Sequence, residues 1–367
     1  MSPQDELKEK RQRVTGYLDA AKLHGVFLAR QDNFSWMTAG GENRVGITSE
    51  TGAATLFVSR ERLCVIADNI EAPRLRQEEL AELGIEVIDY PWHDEAARGK
   101  TIADLTGGEK AASDTRLSGT AKLRPDFDEL KYSLTQPEVD RYRWLGRNCS
   151  LVVEKICAEA KQEVSEMEIA ARLAYEAMKV HITPTVILVA ADDRAFHYRH
   201  PLPTDKKAKD HLMVVFGGRR WGLIASLTRL VHFGEPPLEL RKKHNAVCAV
   251  DAAFILNSQP AIPTGDVLEK AIATYRSSGF PDEWKLHHQG GPTGYEPRCY
   301  RVVPGDSRKL RTNQAVAWNP SIAGTKSEDT ILCAEGPPEI LTPCHQWPTT
   351  QYEYQGMAIS RPDMLVM

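Results

Sequence analysis

The first 128 residues alternate between segments of helical periodicity and short apolar segments. Apolar side chains recur every three to four positions across residues 5–24, which predicts an amphipathic helix that Gly25 ends. The apolar run 26–29 follows directly and predicts a strand. Further strands are predicted at 54–58, 63–67 and 85–88, and a further helix at 71–83. This alternation is typical of an α/β domain, and we place its end at residue 128.

The pattern changes in the second part of the chain, residues 129–367, where helices and strands come in runs. Thr135 with Glu138 and Ser165 with Glu168 each form a capping-box motif, so helices are expected from 135 to 161 and from 165 to 180. Strands are predicted at 185–191, 212–216, 222–227, 314–318 and 329–333, helices at 237–256 and 265–278, and a turn-rich tail at 343–367. Runs of this kind indicate an α+β domain.

Charge and composition exclude several classes of protein. Lysine and arginine number 46 against 50 acidic residues, so the chain lacks the basic excess of a protein that neutralises many phosphates, and we expect no nucleic-acid partner. No apolar run approaches the roughly 20 residues of a membrane helix, and the polar start of the chain does not resemble a signal peptide. The seven cysteines form no CxxC pair. A soluble, cytoplasmic protein is expected.

Short motifs in the second part resemble those of one known family. They are TQPE at 135–138 with Arg141, HP at 200–201, TD at 204–205, FG at 216–217, SLTR at 226–229, WNP at 318–320 and GTKSED at 324–329. Together they are similar to the pita-bread fold of creatinase, prolidase, aminopeptidase P and methionine aminopeptidase. The segment FSWMTAG at 34–40 is similar to one in the amino-terminal domain of creatinase and prolidase. The resemblance implies an α/β amino-terminal domain followed by an α+β pita-bread domain.

The residues at the family's metal-binding positions depart from its pattern. Its peptidases hold two metal ions with two Asp, one His and two Glu, because hard divalent ions require several anionic oxygen ligands. Spacing from the shared motifs places Val215, Ser226, Gly291, Asn319 and Glu328 at those five positions. Only Glu328 keeps a carboxylate. We therefore expect no dinuclear site, no metal and no other cofactor.

The resemblance assigns catalytic roles to three residues. His200 matches the histidine that creatinase uses as a general base without metal, and one imidazole is sufficient for that role. His287 matches a substrate-contacting histidine by spacing, and Glu328 faces the cleft; both would orient and protonate the substrate. Adjacent side chains in a strand point to opposite faces, so we expect His287 rather than His288 to enter the cleft. Each also has an ordinary structural interpretation: a polar loop, a glycine-rich hairpin and a solvated strand end.

A second set of residues is predicted to bind the substrate. Arg44 lies in a segment similar to the creatinase loop that reaches the active site of the other subunit, which implies a homodimer and an anionic group on the ligand. The alternative for Arg44 is a surface arginine in a hairpin. The remaining predicted substrate-binding residues are Trp36, Arg229, His232, His288, Tyr295 and Asn319.

Three functions are compatible with these residues. The first is a metal-independent creatinase-like hydrolase, or a lyase on the same scaffold, that cleaves a C–N bond in a small polar substrate, either amino-acid-derived or amidino. The second is a pseudo-peptidase that binds a peptide or partner without turnover. The third is a rebuilt mononuclear metal site that uses His287 or His288 with Glu328, although a catalytic zinc usually has three protein ligands. Retention of titratable groups in the cleft favours the enzyme.

Overall fold

The computed structural model describes residues 2–367, which divide into two compact units. The amino-terminal unit contains the chain up to Lys131 together with Thr135–Glu138 and Trp221–Leu223. The carboxy-terminal unit contains Tyr132–Leu134, Val139–Arg220 and Ile224–Met367. Among residues 2–367, no helix combines the length and the apolar character needed to cross a bilayer.

A six-stranded mixed sheet organises the amino-terminal unit, in the order β4-β3-β2-β1-β5-β6. β1 pairs parallel with β5, as alternating helices and strands predict, but antiparallel with β2, so the sheet is mixed. The strands are β1 (Gly25–Arg30), β2 (Thr51–Ser59), β3 (Leu63–Asp68), β4 (Glu86–Tyr90), β5 (Ala111–Ser113) and β6 (Ala121–Lys122). The helices are α1 (Pro3–Ala21), α2 (Gln31–Met37), α3 (Ala72–Arg74) and α4 (Glu95–Thr106).

The helix predicted at 71–83 is largely wrong. Only the three residues of α3 are α-helical, and a π-helical segment, Leu75–Glu79, follows them. The Leu80 amide donates to the Leu75 carbonyl at 2.9 Å, and both leucines are buried. An i→i+5 turn places residues five apart on one side, so it buries both leucines where regular α-helical spacing would separate them.

The carboxy-terminal unit is built from helices and mainly antiparallel sheets, in which β18 pairs parallel with β9. One sheet has the order β18-β9-β8-β7, another has the order β10-β11-β14-β15, and the remaining strands form two hairpins, β12–β13 and β16–β17. The helices are α5 (Gln136–Ala158), α6 (Glu166–Lys179), α7 (Asp193–His197), α8 (Leu238–Leu256) and α9 (Thr264–Ser277). The strands are β7 (Thr183–Ala191), β8 (His211–Arg220), β9 (Leu223–His232), β10 (Gly290–Pro292), β11 (Ala315–Trp318), β12 (Ser321–Ile322), β13 (Thr325–Lys326), β14 (Asp329–Leu332), β15 (Glu339–Ile340), β16 (Thr349–Tyr354), β17 (Met357–Pro362) and β18 (Leu365–Val366).

Local sequence signals account for most of these elements. The Thr135 amide donates to the Glu138 carboxylate at 2.7 Å, and the Glu168 amide donates to Ser165 Oγ at 3.1 Å, so both predicted helix starts are confirmed. The tail is not merely turn-rich, which corrects that prediction. It forms the β16–β17 hairpin around Gln355 and Gly356, both at positive φ, a geometry that suits a two-residue hairpin turn.

The core of the carboxy-terminal unit fixes the strands that carry the family's motifs. α8 and α9 pack over β11 and β14 in one cluster that includes Phe254 and Trp318, whose rings stack at 4.5 Å. A second cluster joins β7, β8 and β9 and includes Leu188 and Val215. The segments that follow β11 and β13 are therefore held against rigid, buried elements.

Candidate active site

A cavity of about 580 Å³ lies within the carboxy-terminal unit. Its lining combines an apolar wall from β7 and β8 with polar and charged side chains from the loops and from β9 and β13. A concave site with an apolar wall and a few convergent polar groups is typical of small-molecule binding. The lining residues are Val186, Leu188, His200, Val215, Phe216, Ser226, His288, Pro297, Arg298, Tyr300, Arg301, Asn319, Lys326 and Glu328.

Four of the five positions that match the family's metal ligands line this cavity. They are Val215 on β8, Ser226 on β9, Asn319 directly after β11 and Glu328 directly before β14. The fifth, Gly291 on β10, has φ of 148°, and a Cβ added there would lie 2.5 Å from the Tyr300 carbonyl oxygen. A ligating side chain at this position would therefore collide with the backbone.

Glu328, the carboxylate retained at these positions, is already held by three donors. Lys326 Nζ lies 2.8 Å from Oε2, and Thr228 Oγ1 donates to the same oxygen at 2.8 Å. Arg298 Nη2 donates to Oε1 at 3.0 Å. Burial by itself would raise the pKa of Glu328, but the charges of Lys326 and Arg298 outweigh it and lower the pKa to about 2. Glu328 is thus a fixed anion with two protein cations as its partners.

These residues do not fit the dinuclear metal centre of the family. Val215 and Gly291 offer no lone pairs, Ser226 and Asn319 offer no charge, and the oxygens of Glu328 are occupied by cationic donors. A divalent ion would have to displace Lys326 or Arg298 to reach the carboxylate. No catalytic step is therefore derived through such a centre.

Three histidines meet at the edge of the cavity. The Nε2 atoms of His200 and His287 lie 3.0 Å apart and share a hydrogen bond, and the His287 and His288 rings are 4.6 Å apart. His287 is buried, and its Nδ1 lies 3.4 Å from Ser321 Oγ. The predicted choice of His287 over His288 is wrong, because His288 lines the cavity whereas His287 lies behind His200. The reason is that both follow a 3₁₀ turn, Glu283–Leu286, so strand alternation does not apply.

Burial and neighbouring charges keep the three imidazoles neutral. Desolvation lowers the pKa of His287 to about 2, with Lys326 the next contributor, and lowers the pKa of His288 to about 4, with Arg298 next. Desolvation and then Lys326 also lower the pKa of the more exposed His200. A neutral imidazole is the form that accepts a proton, so the environment favours a base.

The same cluster is the group of side chains best placed to ligate one metal ion. A ligand atom from each of His200, His287 and His288 lies within 4.8 Å of the others. Three neutral imidazoles match the ligand set of some zinc enzymes. However, Lys326 and Arg298 lower the pKa values of these histidines by Coulomb repulsion, and the same positive charges oppose a bound cation.

Five of the seven predicted substrate-binding residues do not line this cavity, and four of these five are buried. Trp36 is fully buried in the amino-terminal unit, edge-on to Phe127, so the predicted substrate wall is wrong. Arg229 is buried and bound to Asp329 at 3.1 Å, so it is an ion-pair residue. His232 is buried, with Nδ1 2.7 Å from the Gly234 carbonyl oxygen, and Tyr295 is also buried.

Some of the other predicted residues line the cavity and others lie away from it. Asn319 and His288 line the cavity, and their binding of a substrate stays a prediction. Arg44 lies in the amino-terminal unit, where its Nε donates to the Glu42 carboxylate at 2.7 Å. Asp329 points away from the cavity, as predicted, and its carboxylate pairs with Arg229 and with Arg361.

Sequence reasoning missed the cations of the cavity. Lys326 stands two positions before Glu328, a spacing that places both side chains on one face of an extended segment, but no local pattern predicts a role for this lysine. Arg298 and Arg301 lie in a segment without a recognisable pattern. Arg298 contacts Glu328, which lies 30 residues further along the chain, and both arginines line the cavity. Contacts between segments so far apart in sequence leave no local pattern.

Three polar atoms on the cavity residues are buried without a hydrogen-bond partner among residues 2–367. They are Oδ1 of Asn319, Nε of Arg298 and Nδ1 of His288. Asn319 is only 3% exposed. Unpaired buried polar atoms are costly, so a bound ligand that supplied their partners would be stabilised by these three atoms.

Solved structures of peptidases share this fold. An Xaa-Pro dipeptidase from Bacillus anthracis matches with a TM-score of 0.79 at 17% identity, over 98% of this chain and 100% of that chain. The prolidase from Pyrococcus horikoshii matches with a TM-score of 0.78 at 16% identity, over 92% and 99%. The amino-terminal domain of a FACT complex subunit from chickpea matches at 0.68 and 11% identity, over 92% and 96%. The predicted pita-bread fold with its amino-terminal domain is confirmed.

Sequence comparison identifies relatives and a family. An uncharacterized peptidase from Staphylococcus epidermidis is 27% identical over 151 residues, which cover 39% of this chain and 43% of the relative. One from Staphylococcus aureus is 23% identical over 235 residues, or 58% and 63%. Both matches span less than two thirds of the relative's length. A model of metallopeptidase family M24 matches residues 140–335, more than half of the chain. The chain therefore belongs to metallopeptidase family M24.

Proposed function

We propose that this protein is a hydrolase that cleaves a C–N bond in a small polar substrate, amino-acid-derived or amidino, without a metal ion. The observation that supports this most directly is the His200–His287 hydrogen bond beside a cavity in which Lys326 and Arg298 bind Glu328. A metal-independent base and a fixed cationic group therefore occur in one cavity.

His200 acts as the general base in this proposal. In the tautomer in which His287 Nε2 accepts the hydrogen bond from His200, Nδ1 of His200 carries no proton and is basic. Water attacks the sp² carbon, its proton passes to His200, and the electron pair of the π bond moves onto the heteroatom. When that pair returns, the C–N bond breaks and the imidazolium gives its proton to the leaving nitrogen.

In this proposal His287 and Glu328 orient these steps and do not protonate the substrate, a role that differs from the one predicted from sequence. The lowered pKa values, about 2 for each, make His287 neutral and Glu328 anionic at neutral pH. His287 fixes the His200 ring from the buried side. Glu328 fixes the ammonium of Lys326 and the guanidinium of Arg298.

A substrate screen in isotopically labelled water tests this proposal. The purified protein is incubated with amidino, ureido and N-acylated amino-acid compounds in H₂¹⁸O, and the products are analysed by mass spectrometry. Hydrolysis places one ¹⁸O atom in the product derived from the sp² carbon. Cleavage that yields an unsaturated product without ¹⁸O would establish a lyase, and no turnover of any compound would favour a binding protein.

A further inference from the structure

The cavity carries an excess of positive charge. Its charged lining consists of Arg298, Arg301 and Lys326 against the single carboxylate of Glu328. The neutral histidines add no charge at pH 7. A cavity with two more cations than anions attracts a negatively charged ligand.

Lys326 is the most deeply buried of these cations. Its side chain is 3% exposed, and that of Arg298 is 13% exposed. Burial of an ammonium group removes its favourable hydration, and this destabilises the folded protein unless other interactions offset the loss. Glu328 supplies one such interaction, but Arg298 binds the same carboxylate. The two positive charges of Lys326 and Arg298 therefore share one negative charge.

The unpaired atoms next to these cations indicate the shape of the missing partner. Arg298 Nε is a buried donor without an acceptor, and Asn319 Oδ1 is a buried acceptor without a donor. A ligand with an anionic oxygen and a nearby N–H satisfies both. Apolar side chains of Val186, Leu188 and Phe216 form the opposite lining and suit an aliphatic portion.

We propose that the cavity binds an amide that carries a carboxylate, with its anionic oxygen on Lys326 and Arg298 and its N–H donated to Asn319. Lys326 thereby supplies, as a fixed part of the chain, a positive charge of the kind that metal ions supply elsewhere in this family. The inference builds on the proposed function by naming the substrate class.

Matched acid and carboxamide probes test this proposal by direct binding. N-acetylglycine, N-acetyl-L-valine and N-acetyl-L-phenylalanine are compared with their carboxamides by isothermal titration calorimetry at low salt. We expect at least one acid to bind, and its carboxamide to bind roughly tenfold to a hundredfold more weakly, as for loss of a charge-assisted hydrogen bond. Equal binding of acid and carboxamide, or no binding by any probe at millimolar concentration, would overturn the proposal.

Variants separate a ligand-binding role of Lys326 from a purely structural one. Lys326→Met should abolish the preference for the acid, whereas Lys285→Met, which removes an exposed lysine paired with Asp282, should keep it. Because Lys326→Met leaves Glu328 with fewer partners, the double variant Lys326→Met/Glu328→Gln is measured as well. If Lys326 only neutralises Glu328, the double variant regains the preference for the acid, and the proposal is refuted.

Asn319→Leu tests the second contact. It should weaken the acid and the carboxamide by the same factor, because both present the same N–H, and a change in acid preference would contradict the assigned geometry. These measurements do not require turnover. Preferential binding of the acids without any hydrolysis would support this inference and refute the proposed function. Hydrolysis without preference for the acids would support the proposed function and refute this inference.

Discussion

Lys326 Nζ lies 2.8 Å from Oε2 of Glu328, so the one carboxylate retained at the family's metal positions has a lysine as its partner. Arg298 binds the other oxygen. In this arrangement the positive charge beside Glu328 is covalently part of the chain and cannot be exchanged or chelated. His200 and His288 line the same cavity as these charged groups.

Removal of metal ions should leave activity unchanged. Dialysis against a chelator followed by elemental analysis is expected to show no stoichiometric Mn, Co or Zn, because Val215, Ser226, Gly291 and Asn319 provide no anionic ligands. Activity on the substrate identified by the screen should be the same before and after dialysis. Tightly held metal, with activity lost on chelation and restored by the ion, would instead point to the three histidines as its ligands.

Replacement of His200 should remove the general base. His200→Ala is expected to lower kcat by roughly 10² to 10⁴-fold, the usual contribution of such a group. The thermal unfolding midpoint should change little, because His200 lies on an exposed loop. His197→Ala serves as the control, since His197 is exposed in the same segment and does not line the cavity. Equal rates in the two variants would contradict the assignment.

The pH dependence of kcat/KM should report the lowered pKa of His200. Desolvation and then Lys326 shift this pKa below 6.5, so the base remains neutral and active in mildly acidic solution. The rate should fall only as the pH drops through that lowered pKa and should be level above it. In Lys326→Met the acidic limb should move toward higher pH, because a repelling charge is gone. If the acidic limb of the unmodified protein gave a pKa at or above 6.5, the result would contradict the lowering of the His200 pKa by burial and by Lys326.

Acid should destabilise the carboxy-terminal unit through buried His211. Its Nε2 lies 2.9 Å from the Gly324 carbonyl oxygen, and desolvation lowers its pKa to about 4. The unfolded chain, with a pKa near 6.5, binds the proton first, so this contribution to stability is complete above pH 6.5 and falls by about 1.4 kcal/mol per pH unit between 6.5 and 4. Urea unfolding at pH 7.5 and 5 measures the loss.

His211→Gln should flatten this pH dependence even if it lowers stability at pH 7.5. His93→Gln is the matched control, because His93 is exposed on the amino-terminal unit. A slope in His211→Gln as steep as that of the unmodified protein would assign the acid sensitivity to other groups.

Arg44 tests whether two subunits complete one site. If the protein is a homodimer in which Arg44 reaches the partner's cavity, Arg44→Ala should weaken substrate binding and leave the dimer intact. Light scattering after size-exclusion chromatography measures the mass, and KM measures binding. Arg60→Ala, which removes an arginine paired with Asp19, is the control. A monomer at assay concentration, or an unchanged KM, would refute the subunit-completed site.

Much of the fold was determined by local sequence. The capping boxes at Thr135 and Ser165 form because the side chain and the amide that it caps are three residues apart, so no distant contact is needed. The strand β8 follows from its continuous apolar run. The spacing of the motifs also located four residues that share one cavity, because family members with one fold keep the same register along their strands.

Only the tertiary structure decided what those residues contact. Trp36 matched a substrate-wall motif but is buried against Phe127. His288 rather than His287 lines the cavity, because both histidines lie between a 3₁₀ turn and β10 and not within a strand. Arg298 meets Glu328 across 30 residues. Periodicity and capping reflect interactions within a few residues, whereas burial, ion pairing and pKa depend on which distant segments pack together. The sequence by itself therefore determined which residues stand at the positions that match the family's metal ligands, and packing decided that Lys326 and Arg298 bind the carboxylate of Glu328.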